Sequence, residues 1–293
     1  MSAFRTGVLS AVVAQVIWGL FPVYWKWLEH APPLEVMSHR NIWCALFLLV
    51  VVLLSSERRN VVAGVLTNRR EIFTHLLSAC LIASNWLIYI WAVVNDHIVD
   101  ASLGYFLSPL VSVALGYLVF SERLDVRQWW AIALAAAGVL VMVVAHGDVP
   151  WIGLSLGISF GLYGMIRKKA STGPINGLSV ETLLLVPATL VAFAWIAHSG
   201  ELYYSNPLNG TELLLMLGGL VTAIPLILYA QGARSMPLSL SGLLVYLTPG
   251  IQFLIGWLYY REPIGFASWI GFICIWIALF LYSLSIRSQH ARG

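Results

Sequence analysis

Ten stretches of this chain are apolar over nearly their whole length, and each is long enough to cross a lipid bilayer as a helix. Lipid offers the backbone no hydrogen-bond partners, so a spanning segment must be a helix or a strand of a closed β-barrel. The strict apolar–polar alternation of barrel strands is absent. Charged residues are only 10% of the 293 residues, against about 25% in soluble domains. We therefore predict an all-α polytopic membrane protein with ten transmembrane helices over residues 6–28, 37–56, 72–94, 101–121, 128–146, 150–166, 178–198, 211–232, 238–260 and 265–286.

Lysine and arginine are distributed unevenly between the two sides of these helices. With both termini in the cytoplasm, thirteen of the 16 basic residues lie on the cytoplasmic side, as the positive-inside rule requires. The other three are Lys26, Arg40 and Arg261. The net charge of +3 thus follows from topology and implies no nucleic-acid partner. Only Arg5 precedes the first long apolar segment, which we interpret as an uncleaved helix rather than a signal peptide.

Residues 85–133 repeat as residues 225–273, with a shift of 140 and no gap. Such internal repeats are typical of transporters that hold their substrate between two halves. Each half contains five helices, and because five is odd, the second half enters the membrane from the opposite side. We therefore predict two inverted five-helix repeats, covering residues 6–146 and 147–286. Identical residues in the aligned segments include the pairs Tyr89 and Tyr229, Pro109 and Pro249, Gly116 and Gly256, Glu122 and Glu262, and Trp129 and Trp269.

Polar and aromatic side chains recur at helical spacing on several of the predicted helices. Polar groups inside a membrane usually face a cavity or another helix. One interpretation is a central cavity whose lining contacts a substrate, and the alternative is that these side chains form hydrogen bonds between helices. Because the set is duplicated in both halves, we favour a cavity. The candidate substrate-binding residues are Gln15, Trp18, Asn85, Tyr89, Tyr105, Ser108, Tyr229 and Gln252.

Charged residues collect at two sets of helix ends that the pseudo-two-fold axis exchanges. We predict an outer gate and an inner gate there, although simple anchoring of charges at the interface is the alternative. Three prolines inside spans each remove a backbone hydrogen bond and are candidate hinges, or merely packing kinks. The gate candidates are Lys26, Glu35, His39 and Arg40 outside, with Arg167 and Glu181 inside, and the hinge candidates are Pro109, Pro225 and Pro249.

Enzyme motifs in the sequence lack the context that they need. Residues 153–157 match the G-x-S-x-G nucleophile motif, but they open a membrane helix rather than a strand-to-helix turn. Gly153, Gly157 and Gly161 instead predict a close approach of another helix. The chain contains no P-loop sequence, so no ATPase activity or ATPase subunit is implied, and no metal-ligand motif or cofactor site is evident. Three cysteines inside apolar spans provide no disulfide framework.

Several longer segments carry a family resemblance. They are Asp100 to Phe106 with Pro109 and Leu110, Glu35 to Trp43, Asn85 to Leu87 with Trp91 to Val93, and Tyr163-Gly164 with Arg167 to Lys169. Together these segments, within a duplicated ten-helix layout, resemble the EamA-type drug/metabolite transporters, and most closely the RarD branch named for chloramphenicol sensitivity. The resemblance extends over essentially the whole chain. It implies a multi-pass protein of the bacterial inner membrane that moves small organic solutes.

These observations favour a secondary transporter that exports small amphipathic organic solutes such as drugs, amino acids or related metabolites. The expected partners are the small-molecule substrate and the lipid bilayer, and the sequence leaves both a homodimer and proton coupling open. Two other functions are also open. One is an intramembrane serine hydrolase that uses Ser155 with His146 or His198, and the other is a transport-inactive membrane partner or sensor.

Overall fold

The computed structural model describes residues 3–121, 124–146, 149–203, 210–233 and 244–290. Helices account for nearly all of these residues, and short turns join them. In chain order the helices are α1 (Ala3–Gly19), α2 (Phe21–Lys26), α3 (Pro33–Leu53), α4 (Ser56–Thr67), α5 (Arg69–Val94), α6 (Ile98–Phe120), α7 (Val126–His146), α8 (Trp151–Lys169), α9 (Pro174–Ser199), α10 (Gly210–Ala233), α11 (Leu247–Leu254), which continues as a π-helix over Ile255–Tyr259, and α12 (Phe266–His290).

An all-helical fold with several membrane spans is confirmed for the described residues. Seven of their helical segments are long and apolar enough to cross a bilayer, and the apolar segment Phe266–Tyr282 is shorter. The full count of ten spans and the location of the termini stay predictions. The predicted ninth span, residues 238–260, lies partly outside the described residues, and the described part ends in a π-helix that the sequence pattern did not indicate.

The connection between the second and third predicted spans is not a loop but the amphipathic helix α4. The sequence contains a signal for it, because Ser55 and Asn68 are residue types that favour helix N-termini. The Ser55 side chain accepts a hydrogen bond from the backbone N–H of Arg58 at 3.4 Å, and that of Asn68 accepts one from Arg70 at 3.0 Å. These bonds satisfy backbone N–H groups in the first turns of α4 and α5. Each helix can therefore begin directly after the preceding one, without a long turn.

The packing of the helices is duplicated across the molecule. Helix α1 packs against α10 and α11, and its counterpart α8 packs against α5 and α6. The contact of α3 with α10 is matched by that of α9 with α5, while α7 meets its own counterpart α12. Equivalent turn residues also share an uncommon backbone conformation, with φ values of 54° at Ser121 and 56° at Arg261. These paired contacts are the ones that two inverted repeats require; the pseudo-two-fold axis and the boundary at residues 146 and 147 remain predictions.

The glycine-rich stripe of α8 packs against α6, so the close helix approach that the sequence predicts is confirmed. A Cβ atom at Gly153 would lie 3.0 Å from Leu103, and one at Gly157 would lie 3.1 Å from the carbonyl oxygen of Gly104. A Cβ at Gly161 would meet Val111 at 2.7 Å. Small residues here let two helices approach closely and gain van der Waals contact within the membrane.

Glu262, in the turn before α12, caps the first turn of α6. Its two carboxylate oxygens accept hydrogen bonds from the backbone N–H groups of Ile98 at 2.8 Å and Val99 at 2.7 Å. A carboxylate is favoured there by the positive end of the helix dipole. Burial nevertheless raises the pKa of Glu262, although the two backbone hydrogen bonds lower it. The folded protein therefore binds a proton at Glu262 more readily than the unfolded chain does.

We expect this carboxyl group to make stability fall as pH rises. Between the ordinary glutamate pKa of about 4.3 and the raised folded value of Glu262, the folded state holds more protons, so raising the pH disfavours folding. Thermal unfolding of the wild type and Glu262→Gln across that pH window in detergent measures the effect. The glutamine variant should show a flatter pH dependence, and identical slopes in both proteins would contradict the assignment.

Candidate functional site

A cavity of about 560 Å³ lies at the centre of the helix bundle, within the range of about 300–1,000 Å³ typical of small-molecule sites. Residues of both chain halves line it, and most of the lining is apolar or aromatic. The lining side chains belong to Gln15, Trp18, Phe21, Arg40, Ile82, Trp86, Tyr89, Tyr105, Ser108, Phe160, Tyr163, Pro174, Leu178, Thr222, Leu226, Tyr229, Val245, Thr248, Pro249 and Gln252.

Seven of the eight residues predicted to bind substrate lie on this lining, and the exception is Asn85. The Asn85 side chain is fully buried between α5 and α8. It donates hydrogen bonds to the carbonyl oxygen of Leu156 and to Ser159 Oγ, both at 2.9 Å, and accepts one from Tyr105 at 3.3 Å. Asn85 therefore holds two helices together and orients Tyr105, which was the alternative interpretation of such polar groups. Substrate contact by the other seven stays a prediction.

Hydrogen bonds across the cavity wall orient several of its polar side chains. Thr248 donates to Gln15 Oε1 at 2.6 Å, which joins α11 to α1. Gln252 Nε2 donates to the carbonyl oxygen of Trp18 at 3.1 Å and to the Tyr89 hydroxyl at 3.0 Å. Gln252 Oε1 is buried without a hydrogen-bond partner among the described residues. Gln252 is held in place by these hydrogen bonds and presents Oε1 as an unused acceptor. The neighbouring polar side chains Gln15, Thr248 and Tyr89 already take part in hydrogen bonds.

Aromatic rings form much of the remaining wall. Trp18 and Tyr229, from α1 and α10, have ring centroids 5.7 Å apart. Tyr89 and Tyr105, from α5 and α6, meet edge to face at 5.6 Å. Such pairs pack favourably and leave ring faces available to an apolar or aromatic ligand.

Arg40 is the charged side chain among the described lining residues. It is only 3% exposed, and its Nε donates to Thr222 Oγ1 at 2.7 Å. The guanidinium carbon lies 3.7 Å from the ring centroid of Trp86 and 5.5 Å from that of Trp25. Arg40 Nη1 is buried and has no hydrogen-bond partner among the described residues. The structure therefore places Arg40 on the cavity wall, rather than with the other outer gate candidates.

The remaining outer gate candidates separate into two groups. Lys26 Nζ forms ion pairs with Asp96 at 2.7 Å and Glu29 at 3.0 Å. Glu35 is buried and accepts a hydrogen bond from the backbone N–H of Tyr203 at 2.9 Å, with His39 Nε2 4.0 Å from its other oxygen. Glu35 and His39 are one turn apart on α3, whereas the next residue is rotated by about 100°. This rotation explains why Arg40 faces the cavity and His39 does not.

The two inner gate candidates do meet, in a buried cluster between α5, α8 and α9. Glu181 is fully buried, and its Oε1 lies 3.6 Å from Arg167 Nη1 and 3.7 Å from His75 Nδ1. The carboxylate also accepts hydrogen bonds from Ser78 at 2.6 Å and Tyr163 at 3.1 Å. Buried charges are tolerated when they are paired and hydrogen-bonded in this way. Tyr163 also lines the cavity, so the cluster adjoins the site directly.

The three prolines proposed as hinges do not interrupt the described helices. Helices α6 and α10 continue through Pro109 and Pro225. Pro249 lies in the first turn of α11, where its missing N–H would have no helical partner in any case. Pro249 lines the cavity, and the hinge role of all three stays a prediction.

Sequence reasoning missed several lining residues, of which Ile82, Trp86 and Phe160 are the most informative. Ile82, Trp86 and Tyr89 have the i, i+4, i+7 spacing of one helix face, and all three line the cavity. The candidates chosen from the sequence on this helix were Asn85 and Tyr89, of which Tyr89 lies on the cavity face and Asn85 faces α8. Tracing the large aromatic side chains would have identified the cavity face of α5.

The arrangement required by a serine hydrolase is not seen among the described side chains. Ser155 is half-buried on α8 and His198 is exposed on α9. No hydrogen bond joins these two residues in the described part of the chain. The side chain of His146 lies outside the described residues. The geometry therefore offers no observation in favour of this alternative.

Comparison with known proteins finds a matching family model, several similar proteins and a similar solved structure. A model of the EamA-like transporter family matches this chain twice, over residues 5–144 and 150–284. The uncharacterised transporter YojE of Bacillus subtilis (strain 168) is 39% identical over 284 residues, which covers 96% of this chain and 94% of YojE. Protein RarD of Streptomyces exfoliatus is 41% identical over 275 residues, or 94% of this chain and 87% of that protein. A protein crystal structure with 16% identity superposes with a TM-score of 0.60 over 96% of this chain and 98% of the other.

Proposed function

The chain belongs to the EamA-like transporter family, and from this premise we propose that it is a secondary transporter of small amphipathic organic solutes in a bacterial inner membrane. The proposed substrate classes are drugs, amino acids and related metabolites. Transport proceeds by alternating access, in which two inverted repeats exchange conformations around a central site. Export is the proposed direction.

The observation that carries this proposal is the cavity itself. Its volume of about 560 Å³ suits a molecule of amino-acid or small-drug size. Ring faces from both halves provide an apolar wall, and the amide of Gln252 and the hydroxyl of Ser108 provide polar contacts. Such a lining suits a solute that has one apolar and one polar part.

The paired charges at the two ends of the cavity are the proposed gates. Lys26 with Asp96 links α2 to the end of α5, and Arg167 with Glu181 links α8 to α9. Alternating access requires that contacts at one end break while those at the other hold. An ion pair with a partly hydrated partner, such as Lys26 with the 69% exposed side chain of Asp96, can open at low cost because water replaces the lost contact.

Flux through the purified protein in proteoliposomes tests the proposal. A labelled panel of amino acids and small drugs would be offered with and without an imposed pH gradient, and saturable uptake of one member is the expected result. Arg40→Ala should change that flux by about tenfold or more without loss of folding, since Arg40 lines the cavity. Glu201→Ala, at an exposed position between α9 and α10, is the control and should leave flux unchanged.

Absence of flux for the whole panel from folded, inserted protein would count against the proposal. Equal flux from the wild type and Arg40→Ala would contradict the role of Arg40 and leave transport itself in place. The response to the pH gradient separates proton coupling from facilitated diffusion. Acceleration by an opposing proton gradient indicates antiport, and an unchanged rate indicates facilitation.

A further inference from the structure

Arg40 is a buried cation whose charge the described protein does not neutralise. Lys26 and Arg167 each form an ion pair with a carboxylate. None of the ion pairs among the described residues includes Arg40. An arginine side chain stays protonated in proteins. A charge buried without a partner is costly, so its presence on a cavity wall requires an explanation.

The surroundings of Arg40 fix its guanidinium rather than neutralise it. Thr222 Oγ1 accepts a hydrogen bond from Arg40 Nε at 2.7 Å and donates its own hydroxyl hydrogen bond to the carbonyl oxygen of Gly218 at 2.9 Å. The ring of Trp86 lies 3.7 Å from the guanidinium carbon, and ring faces attract such cations without removing their charge. The result is a preoriented donor group whose Nη1 still lacks an acceptor.

The rest of the lining provides no opposing charge. Among its described residues there is no aspartate or glutamate, and the polar groups other than Arg40 are hydroxyls, amides and two indoles. Glu181 lies behind Tyr163, with Arg167 as its partner. The described wall therefore attracts a negative group and has no carboxylate to receive a positive one.

From this geometry we propose that Arg40 binds the negatively charged head of the transported solute, so that the substrates are amphipathic organic anions, in particular monocarboxylates with an apolar or aromatic body. A planar guanidinium matches the geometry of a carboxylate and can form two parallel hydrogen bonds with it. The ring faces of Trp18 and Tyr229 receive the body. That the bound anion is also transported rests on the proposed function. The binding of an anion by Arg40 does not depend on it.

Three probes of one shape and different charge test the inference. They are 3-phenylpropionate, its neutral amide 3-phenylpropionamide, and the cation 3-phenylpropylamine, which share the phenyl ring and chain. Binding to the full-length protein in detergent would be measured by calorimetry at pH 7, and flux by uptake into proteoliposomes. We expect the wild type to bind the anion roughly 10- to 100-fold more tightly than the amide, the range for a hydrogen bond to a charged group, and the amine most weakly.

The Arg40→Gln variant should lose this discrimination, since glutamine retains hydrogen-bonding groups but not the charge. Arg40→Lys should retain part of the preference for the anion, because a lysine keeps the charge without the planar fork. If Arg40→Gln does not fold, Thr222→Val serves instead. It removes the acceptor that orients Nε and should weaken anion binding more than amide binding.

The outcomes separate this inference from the proposed function. Flux of the probes without preference for the anion would overturn the inference and leave transport in place. Preferential binding of the anion without flux would support the site and count against transport. Failure of the wild type to bind the anion, or equal discrimination in the wild type and Arg40→Gln, overturns the assignment of Arg40.

Discussion

Replacing Glu181 with alanine is expected to lower the free energy of unfolding by about 3–5 kcal/mol, the usual cost of breaking a buried ion pair by removing one partner. Arg167 Nη1 and His75 Nδ1 lie 3.6 and 3.7 Å from the carboxylate, and Ser78 donates to it at 2.6 Å. Without the carboxylate, Arg167 keeps its charge in a largely buried position. Thermal unfolding in detergent, followed by circular dichroism, measures the loss.

Two further variants make this result interpretable. Glu201→Ala removes a carboxylate of the same type from an exposed position and should change stability by less than about 0.5 kcal/mol. The double variant Glu181→Ala/Arg167→Ala removes both charges and should be more stable than Glu181→Ala alone. If Glu181→Ala unfolds at the same temperature as Glu201→Ala, the cluster contributes nothing to stability and our description of it is wrong.

The second large effect is expected at Gly219, where α10 crosses α3. A Cβ atom there would lie 2.3 Å from the backbone nitrogen of Cys44 and 2.4 Å from the carbonyl carbon of Trp43. Backbone atoms cannot move aside as a flexible side chain can, so Gly219→Ala must separate the two helices. The expected loss of stability is about 1–3 kcal/mol, despite the better helix propensity of alanine.

Separation of these helices should also affect the cavity, because Arg40 on α3 and Thr222 on α10 are joined across this crossing. Ligand binding should therefore weaken along with stability. Gly164→Ala is the matched control, since a Cβ at Gly164 in α8 has no neighbour within 4 Å. That change should be neutral or slightly stabilising. Equal melting temperatures for the two alanine variants would exclude a tight crossing at Gly219.

The sequence predicted the helices well where they are long and apolar, because lipid permits no other backbone structure there. It missed α4, whose polar residues interrupt the hydropathy pattern, although the helix-capping residues Ser55 and Asn68 were visible. It also missed the π-helix at 255–259, since an extra residue in one helical turn leaves no mark in composition. In both cases the signal is local hydrogen bonding rather than hydrophobicity.

Prediction of the site was limited by rotation about the helix axis. Charges at neighbouring positions of α3 were grouped into one outer gate. Glu35 instead accepts a hydrogen bond from Tyr203 and His39 packs against Phe193, while Arg40 faces the cavity. Asn85 was assigned to the cavity because of its polarity, and its amide instead satisfies the backbone of α8. An amide side chain that is buried between two helices and one that lines a cavity look the same in the sequence. Only the position of the neighbouring helix distinguishes the two.

The exchange of helix contacts across the pseudo-two-fold axis has a mechanical consequence. The strongest neighbours of α1 and α3 include α10, from the other half of the chain, while α8 and α9 pack against α5. In the alternating access proposed above, the parts that rock against one another would therefore each combine helices from both halves, rather than being the duplicated segments themselves. If the chain were cut between residues 146 and 147, each fragment would expose the helix faces that pack against the other half. Either moving part would form again only when the two fragments reassembled.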